Sequence, residues 1–149
     1  MSGLIVIGLY PRLVPWVWNR LFPTTVEDRV EQVGEAAAAR WRPYVEKAGV
    51  DWPPKRVALL GFKFEQLLEV YADGHYLRAY PVLAASGAPG PKLKEGDQQV
   101  PEGIYAIDFL NPNSRYHLSM RVNSPNAFDR KMAEAEGRTG LGGDIMIHG

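Results

Sequence analysis

Hydrophobic positions recur with two different periods along this chain, and the period changes at one place. From Val26 they return at Val30, Val33, Ala37, Trp41 and then Tyr44 or Val45. That spacing is close to 3.6 and predicts an amphipathic helix with one buried stripe and a charged outer face. Thr24-Thr25-Val26-Glu27 reads as a capping box, with Thr24 as the N-cap and Glu27 reaching back to it. Pro43 has no N–H to donate, so the pattern predicts a break there and a second short helix ending at Gly49. Asp51-Trp52-Pro53-Pro54-Lys55 follows as a stiff connector and the expected boundary, because each proline restricts the residue before it.

Beyond the connector the period is 2. Residues 56–63 and 67–72 are strand-like, and Asp73-Gly74 is a tight-turn pair that leads into a third run, 75–85. Residues 86–99 are rich in Gly, Pro and Lys and predict a surface loop. Residues 103–110 and 115–122 both alternate and are joined by Asn111-Pro112-Asn113-Ser114, which predicts a second hairpin. Ser124-Pro125-Asn126 opens a short helix through Glu136 with Phe128, Met132 and Ala135 on one side, and Gly137 stops it. The glycines between 140 and 143 form a flexible approach to a last strand, 144–147. The expected class is mainly β with flanking helices, an α+β chain of antiparallel strands. An apolar last strand with no strand after it leaves an open edge, so closing strands are expected to lie outside these 149 residues.

Composition narrows the function classes. With 149 residues, 46% of them hydrophobic and 11% aromatic, the chain can bury a core of its own. Seventeen basic and seventeen acidic side chains cancel, so nothing points to nucleic acid or to an anionic membrane surface. Residues 4–10 are apolar and Leu13, Val14, Trp16, Val17 and Trp18 follow. This stretch is too short and too interrupted by prolines for a membrane span, and it lacks the basic lead of a signal peptide. It reads either as the remnant of an export signal or anchor, or as an apolar arm packing on the domain. The expected division is an arm at 1–23, a helical lead-in and connector at 24–54, and the main domain at 55–149.

No cysteine is present, which removes disulfides, thiolate metal sites and a cysteine nucleophile from this chain. Three histidines remain. His75 follows a turn and reads as solvated, and His117 sits in an alternating run and reads as structural. No spacing suits a metal, so neither a metal nor a cofactor is expected. His148 differs, because Gly142-Gly143-Asp144-Ile145-Met146-Ile147-His148-Gly149 delivers an imidazole at the end of an apolar run, followed by a glycine that leaves the ring accessible. It is the candidate general base. No serine lies in a nucleophile elbow, and residues 87–92 lack the spacing of a phosphate loop.

Several of these segments, taken in order, resemble a known family. Tyr80-Pro81-Val82, Ser86-Gly87 with Gly90-Pro91-Lys92, Gly96 to Tyr105 (Gly-Asp-Gln-Gln-Val-Pro-Glu-Gly-Ile-Tyr), Asn111 to Ser119 and Gly143 to Gly149 resemble the L,D-transpeptidase catalytic domain, also called the YkuD domain. The resemblance runs from about Arg56 to the end. It implies an antiparallel β-sandwich of the YkuD kind, here incomplete at the C-terminus. It also implies a bacterial, exported protein of the periplasm or cell envelope acting on peptidoglycan stem peptides, with a membrane tether through the N-terminal arm as one option.

In that family a cysteine thiolate attacks the stem tetrapeptide, expels the terminal D-alanine and passes the acyl group to an amine of a second stem. The resemblance implies that His148 activates the thiol and that the Gly149 carbonyl orients the ring. Tyr116, His117, Arg121 and Asn123 would flank the cleft, and residues 101–105 would pack beneath it. Arg138 would meet a stem carboxylate, unless it is an ordinary surface arginine. Asn126, Phe128 and Asp129 are expected to cap and anchor the short helix. The family's cysteine lies just downstream of the histidine, and this chain has none, so the 149 residues are expected to be inactive and to be a fragment cut before the nucleophile. A non-catalytic stem-binding module and a strand-pairing interaction domain are the alternatives.

Overall fold

A computed structural model describes residues 23–83 and 90–149. The apolar arm and the Ser86-Gly87 segment lie outside the described residues. Helix α1 spans Val26–Lys47 and α2 spans Ala127–Ala135. The strands are β1 (Val57–Phe62), β2 (Leu67–Ala72), β3 (His75–Pro81), β4 (Ile107–Asn111), β5 (Ser119–Val122) and β6 (Met146–His148). They form two three-stranded antiparallel sheets, ordered β1-β2-β3 and β4-β5-β6, so the molecule is a mixed α+β fold.

The capping box of α1 is one residue later than the sequence suggests. Thr25 is the N-cap, its hydroxyl accepting from Asp28 N at 3.1 Å while Asp28 accepts from Thr25 N at 2.8 Å. Aspartate serves here as well as glutamate because the reciprocal bond needs only a carboxylate three residues on. The expected break at Pro43 does not occur, and α1 continues through it to the Ala48 cap, with Gly49 beyond at φ +72°. Tertiary contacts on both sides of the proline hold the helix together. Trp41 packs on Tyr80 of β3 with centroids 6.1 Å apart, and the Arg78 guanidinium lies between the rings of Tyr44 and Tyr80, at 4.8 and 4.3 Å. Val45, two residues after the proline, is 1% exposed.

The first hairpins follow the alternation closely. Asp73 and Gly74 both take positive φ, +48° and +90°, the conformation that a two-residue turn needs and that Asp-Gly tolerates. Asp73 also accepts from Lys55 N at 2.9 Å and Arg56 N at 3.0 Å, so the turn between β2 and β3 fastens the entry to β1. The second hairpin is shorter than the alternation predicts. Residues 103–106 and 115–118 lie outside the strands, and His117, expected on a strand, is a turn residue at φ +73°. The last strand is likewise displaced, to Met146–His148, since Asp144 takes φ +52° and cannot pair as a strand residue.

Helix α2 is capped as expected, with Asn126 Oδ1 accepting from Phe128 N and Asp129 N, and Asp129 accepting from Asn126 N. Its buried side is not the expected one. Phe128 and Met132 are 68% and 39% exposed, and Ala133 is the residue that is buried. Burial is thin throughout the described residues: Val45, Val70, Ala72, Pro112 and Ala133 are buried, with Ser119 the buried polar residue.

Candidate active site

Sheet pairing decides what surrounds the last histidine. In the β5–β6 register Ser119 faces His148, Met120 faces Ile147 and Arg121 faces Met146. Side chains alternate across a strand, so Ser119, Arg121, Met146 and His148 share one face of the sheet. Val122 N donates to Ile145 O at 2.8 Å and carries the pairing past the end of β6. His148 is therefore held by its backbone at a sheet edge, next to buried Ser119, while its own ring is exposed.

Two contacts orient that ring. Tyr116 stacks on it, with centroids 4.0 Å apart and planes 11° from parallel. His148 Nδ1 lies 3.2 Å from Gly149 O. A carbonyl oxygen only accepts, so this contact selects the tautomer with its hydrogen on Nδ1 and leaves the Nε2 lone pair available. His148 is exposed and no described residue hydrogen-bonds its Nε2, so the imidazole is equipped to take a proton from a nucleophile brought alongside.

The other residues singled out in the sequence have different placements. Arg121 shares the face of His148 but is engaged by Asp108, with Nε–Oδ1 at 2.9 Å and Nη2–Oδ2 at 3.3 Å, and lies over Phe109. The Asp108 bond and charge raise the Arg121 pKa further, and the guanidinium holds the Asp108 carboxyl below its ordinary range. Asn123 is committed to the backbone: its Oδ1 accepts from Ala106 N at 2.8 Å and its N donates to Ala106 O at 2.9 Å. His117 occupies the turn before β5, next to Tyr116 in the chain.

Arg138 lies elsewhere, paired with Glu136 and donating from Nη1 to Leu93 O at 3.2 Å. It lines an open cleft of about 460 Å³ with Pro91, Leu93, Lys94, Asp97, Gln99 and Thr139, and neither His148 nor Tyr116 reaches that cleft. Among the described residues no cluster of three His, Asp or Glu side chains is arranged to hold a metal.

Two residues of the Gly96 to Tyr105 segment, Asp97 and Tyr105, make bonds that the sequence did not foretell. Asp97 organises the 92–99 loop, accepting from Leu93 N at 2.7 Å, Lys94 N at 2.9 Å, Gln99 N at 3.1 Å and Lys92 Nζ at 3.0 Å. Burial opposes its charge, but those donors outweigh burial and hold the carboxyl well below the usual range. Tyr105 packs near α2, its hydroxyl donating to Asp129 at 3.0 Å, and burial together with that bond pushes its pKa up to about 12. The sequence signal for Asp97 was the Gly-Asp pair in a glycine-rich loop, a setting in which an aspartate often caps nearby N–H groups.

No family model matches the chain, and no solved structure matches it significantly. Two curated proteins do. The "Putative L,D-transpeptidase YafK" of Escherichia coli K12 is 37% identical over 94 residues, which cover 59% of this chain and 36% of that protein, and the protein of the same name from E. coli O157:H7 gives the same figures. The chain thus spans about a third of the length of these relatives. A similarity of this strength, through more than half of the chain, supports an L,D-transpeptidase-family domain.

Proposed function

We propose that this chain supplies the histidine half of a cysteine–histidine acyl-transfer site that acts on peptidoglycan stem peptides. The observation that carries the reading is His148, exposed at the end of β6 with Nδ1 at Gly149 O and Nε2 bonded by no described residue, in a chain 37% identical over 94 residues to the "Putative L,D-transpeptidase YafK". In the proposed reaction Nε2 takes the thiol proton and the thiolate adds to the stem carbonyl. The imidazolium then returns the proton to the departing D-alanine amine, leaving a thioester. An amine of a second stem displaces the thiolate and closes the cycle.

The chain contains no cysteine, so the nucleophile has to come from outside these 149 residues. We place the reaction in the bacterial cell envelope, with residues 55–149 as part of a YkuD-type β-sandwich and residues 1–23 as an export or anchoring segment. Among the described residues no helix is long and apolar enough to cross a membrane. Of the two arginines proposed to meet the stem, Arg121 is on the face of His148 and would have to share its guanidinium with Asp108, while Arg138 is held by Glu136 in a separate cleft.

The test has two arms. The 149-residue chain is expected to release no D-alanine from a stem tetrapeptide and to form no covalent adduct with a carbapenem. The same sequence continued through its native downstream codons to a cysteine is expected to do both, and His148→Ala in that longer protein should abolish both. Turnover by the chain alone, or silence of the longer protein, overturns the reading. A second reading, a strand-pairing interaction domain, is favoured by the apolar side chains left open on β1 and β4, where Val57 and Leu110 are 62% and 48% exposed. A discrete dimer in size-exclusion chromatography, with no muropeptide binding by calorimetry, would support it.

A further inference from the structure

Tyr116 belongs to no strand or helix and is 56% exposed, yet its ring is aligned with His148 to within 11°. Loop side chains with that much exposure ordinarily sample several rotamers. Here the backbone beneath the ring is fixed. Tyr116 N donates to Ser114 Oγ at 3.1 Å, Leu118 N donates to Tyr116 O at 2.9 Å, and Asn113 N donates to Asn111 Oδ1 at 3.0 Å.

The turn is also fastened to a distant part of the chain. Asn113 exchanges two bonds with Thr24, Thr24 N donating to Oδ1 at 3.1 Å and Nδ2 donating to Thr24 O at 2.7 Å. Arg29 Nε donates to Pro112 O at 2.9 Å, and Pro112 is buried. The N-terminal end of α1 therefore grips the turn that carries Tyr116.

We propose that Tyr116 is a positioning residue for His148, set in place by this clamp between the 111–118 turn and the start of α1. The role rests on the reading of His148 as a base, but the alignment itself is independent of any reaction. A stack defines the plane of the imidazole, and the bond from Nδ1 to Gly149 O defines its rotation within that plane. Together they leave one direction for Nε2. Neither contact alone does so, because β6 ends at His148 and Gly149 offers no side chain to pack against. The geometry also assigns Asn113 and Arg29, whose hydrogen bonds join the turn to the start of α1, to the support of the site.

Nuclear magnetic resonance of the 149-residue chain tests this without turnover. In the unsubstituted chain the His148 ring protons should be shifted upfield by the Tyr116 ring current and should show cross-relaxation with Tyr116 ring protons. Tyr116→Phe should keep both signatures. Tyr116→Leu should move the His148 resonances to the position of a solvated histidine, with His75 and the dispersed amides unchanged, and Asn113→Ala should move them part of the way. Absence of cross-relaxation in the unsubstituted chain, or an unmoved His148 in Tyr116→Leu, overturns the proposal. Should Tyr116→Leu fail to fold, the unsubstituted chain and Tyr116→Phe still decide it. If the ring signature holds while the longer, cysteine-bearing protein is inactive, the acyl-transfer reading falls and the positioning contact stands.

Discussion

A methyl group at Gly142 would meet Glu95 Cα at 3.1 Å, and the residue sits at φ +73°, where side chains are strained. The close approach comes from the packing of the glycine segment against the 92–99 loop, which Glu95 N joins by donating to Gly140 O at 2.7 Å. Gly142→Ala is therefore expected to lower stability by about 1–3 kcal/mol. Gly143→Ala, whose nearest neighbour would be Ser124 O at 3.9 Å and whose φ is ordinary, should be close to neutral. Urea denaturation of the two variants separates them, and equal losses would contradict the close-approach argument. From sequence the three glycines at 140, 142 and 143 looked like slack before a strand. The requirement at Gly142 comes from Glu95, nearly fifty positions away, and no local pattern encodes it.

Asn126 is the point on which α2 depends. It caps two N–H groups, donates its own backbone N–H to the Asp129 carboxylate, and donates from Nδ2 to Ile104 O at 3.2 Å. Asn126→Ala should cost about 1–2 kcal/mol, read as a lower denaturation midpoint, and Asn126→Ser should recover most of it. The 92–99 loop depends in the same way on Asp97, whose side chain is only 12% exposed. Its folded pKa lies below the ordinary value of 3.8, so the stabilisation is complete above that value and is lost as pH falls below it. Asp97→Asn should lower stability at neutral pH and flatten the acid limb of a stability-versus-pH profile. An unchanged acid limb would show that other carboxylates govern it. Caps and tight turns were legible because their bonds span three or four residues. The continuity of α1 through Pro43 was not, because Trp41, Tyr44 and Val45 hold it from outside the helix.

At the scale of the whole molecule, one side chain ties the first hairpin to the long loop. Lys63 Nζ, just past β1, shares its three N–H groups among Gly90 O, Gln99 Oε1 at 3.2 Å, Val100 O at 3.4 Å and Glu102 Oε1 at 2.8 Å. The apolar surface is less well accounted for. Val57, Leu60 and Phe62 of β1 and Ile107, Phe109 and Leu110 of β4 are all between 38% and 62% exposed, and both strands lie at sheet edges. Open apolar edges of this kind promote association. The isolated chain is expected to bind a hydrophobic dye and to sediment faster as its concentration rises. Leu60→Lys with Phe109→Lys should reduce both effects, and an ideal monomer at all concentrations would contradict the expectation.

By itself the sequence determined where the first helix begins to within a residue, the β1–β2–β3 meander with its Asp-Gly turn, the capped helix α2, and the histidine that ends the chain's last apolar run. All of these rest on periodicity or on bonds between near neighbours. Only the tertiary structure decided which residues meet His148. The β5–β6 register puts Ser119 opposite it, a turn at positive φ removes His117 from the strand, and the grip of Thr24 and Arg29 on that turn brings Tyr116 over the ring. Those contacts join residues far apart in the chain. Their geometry comes from strand pairing and loop packing, which no local spacing records.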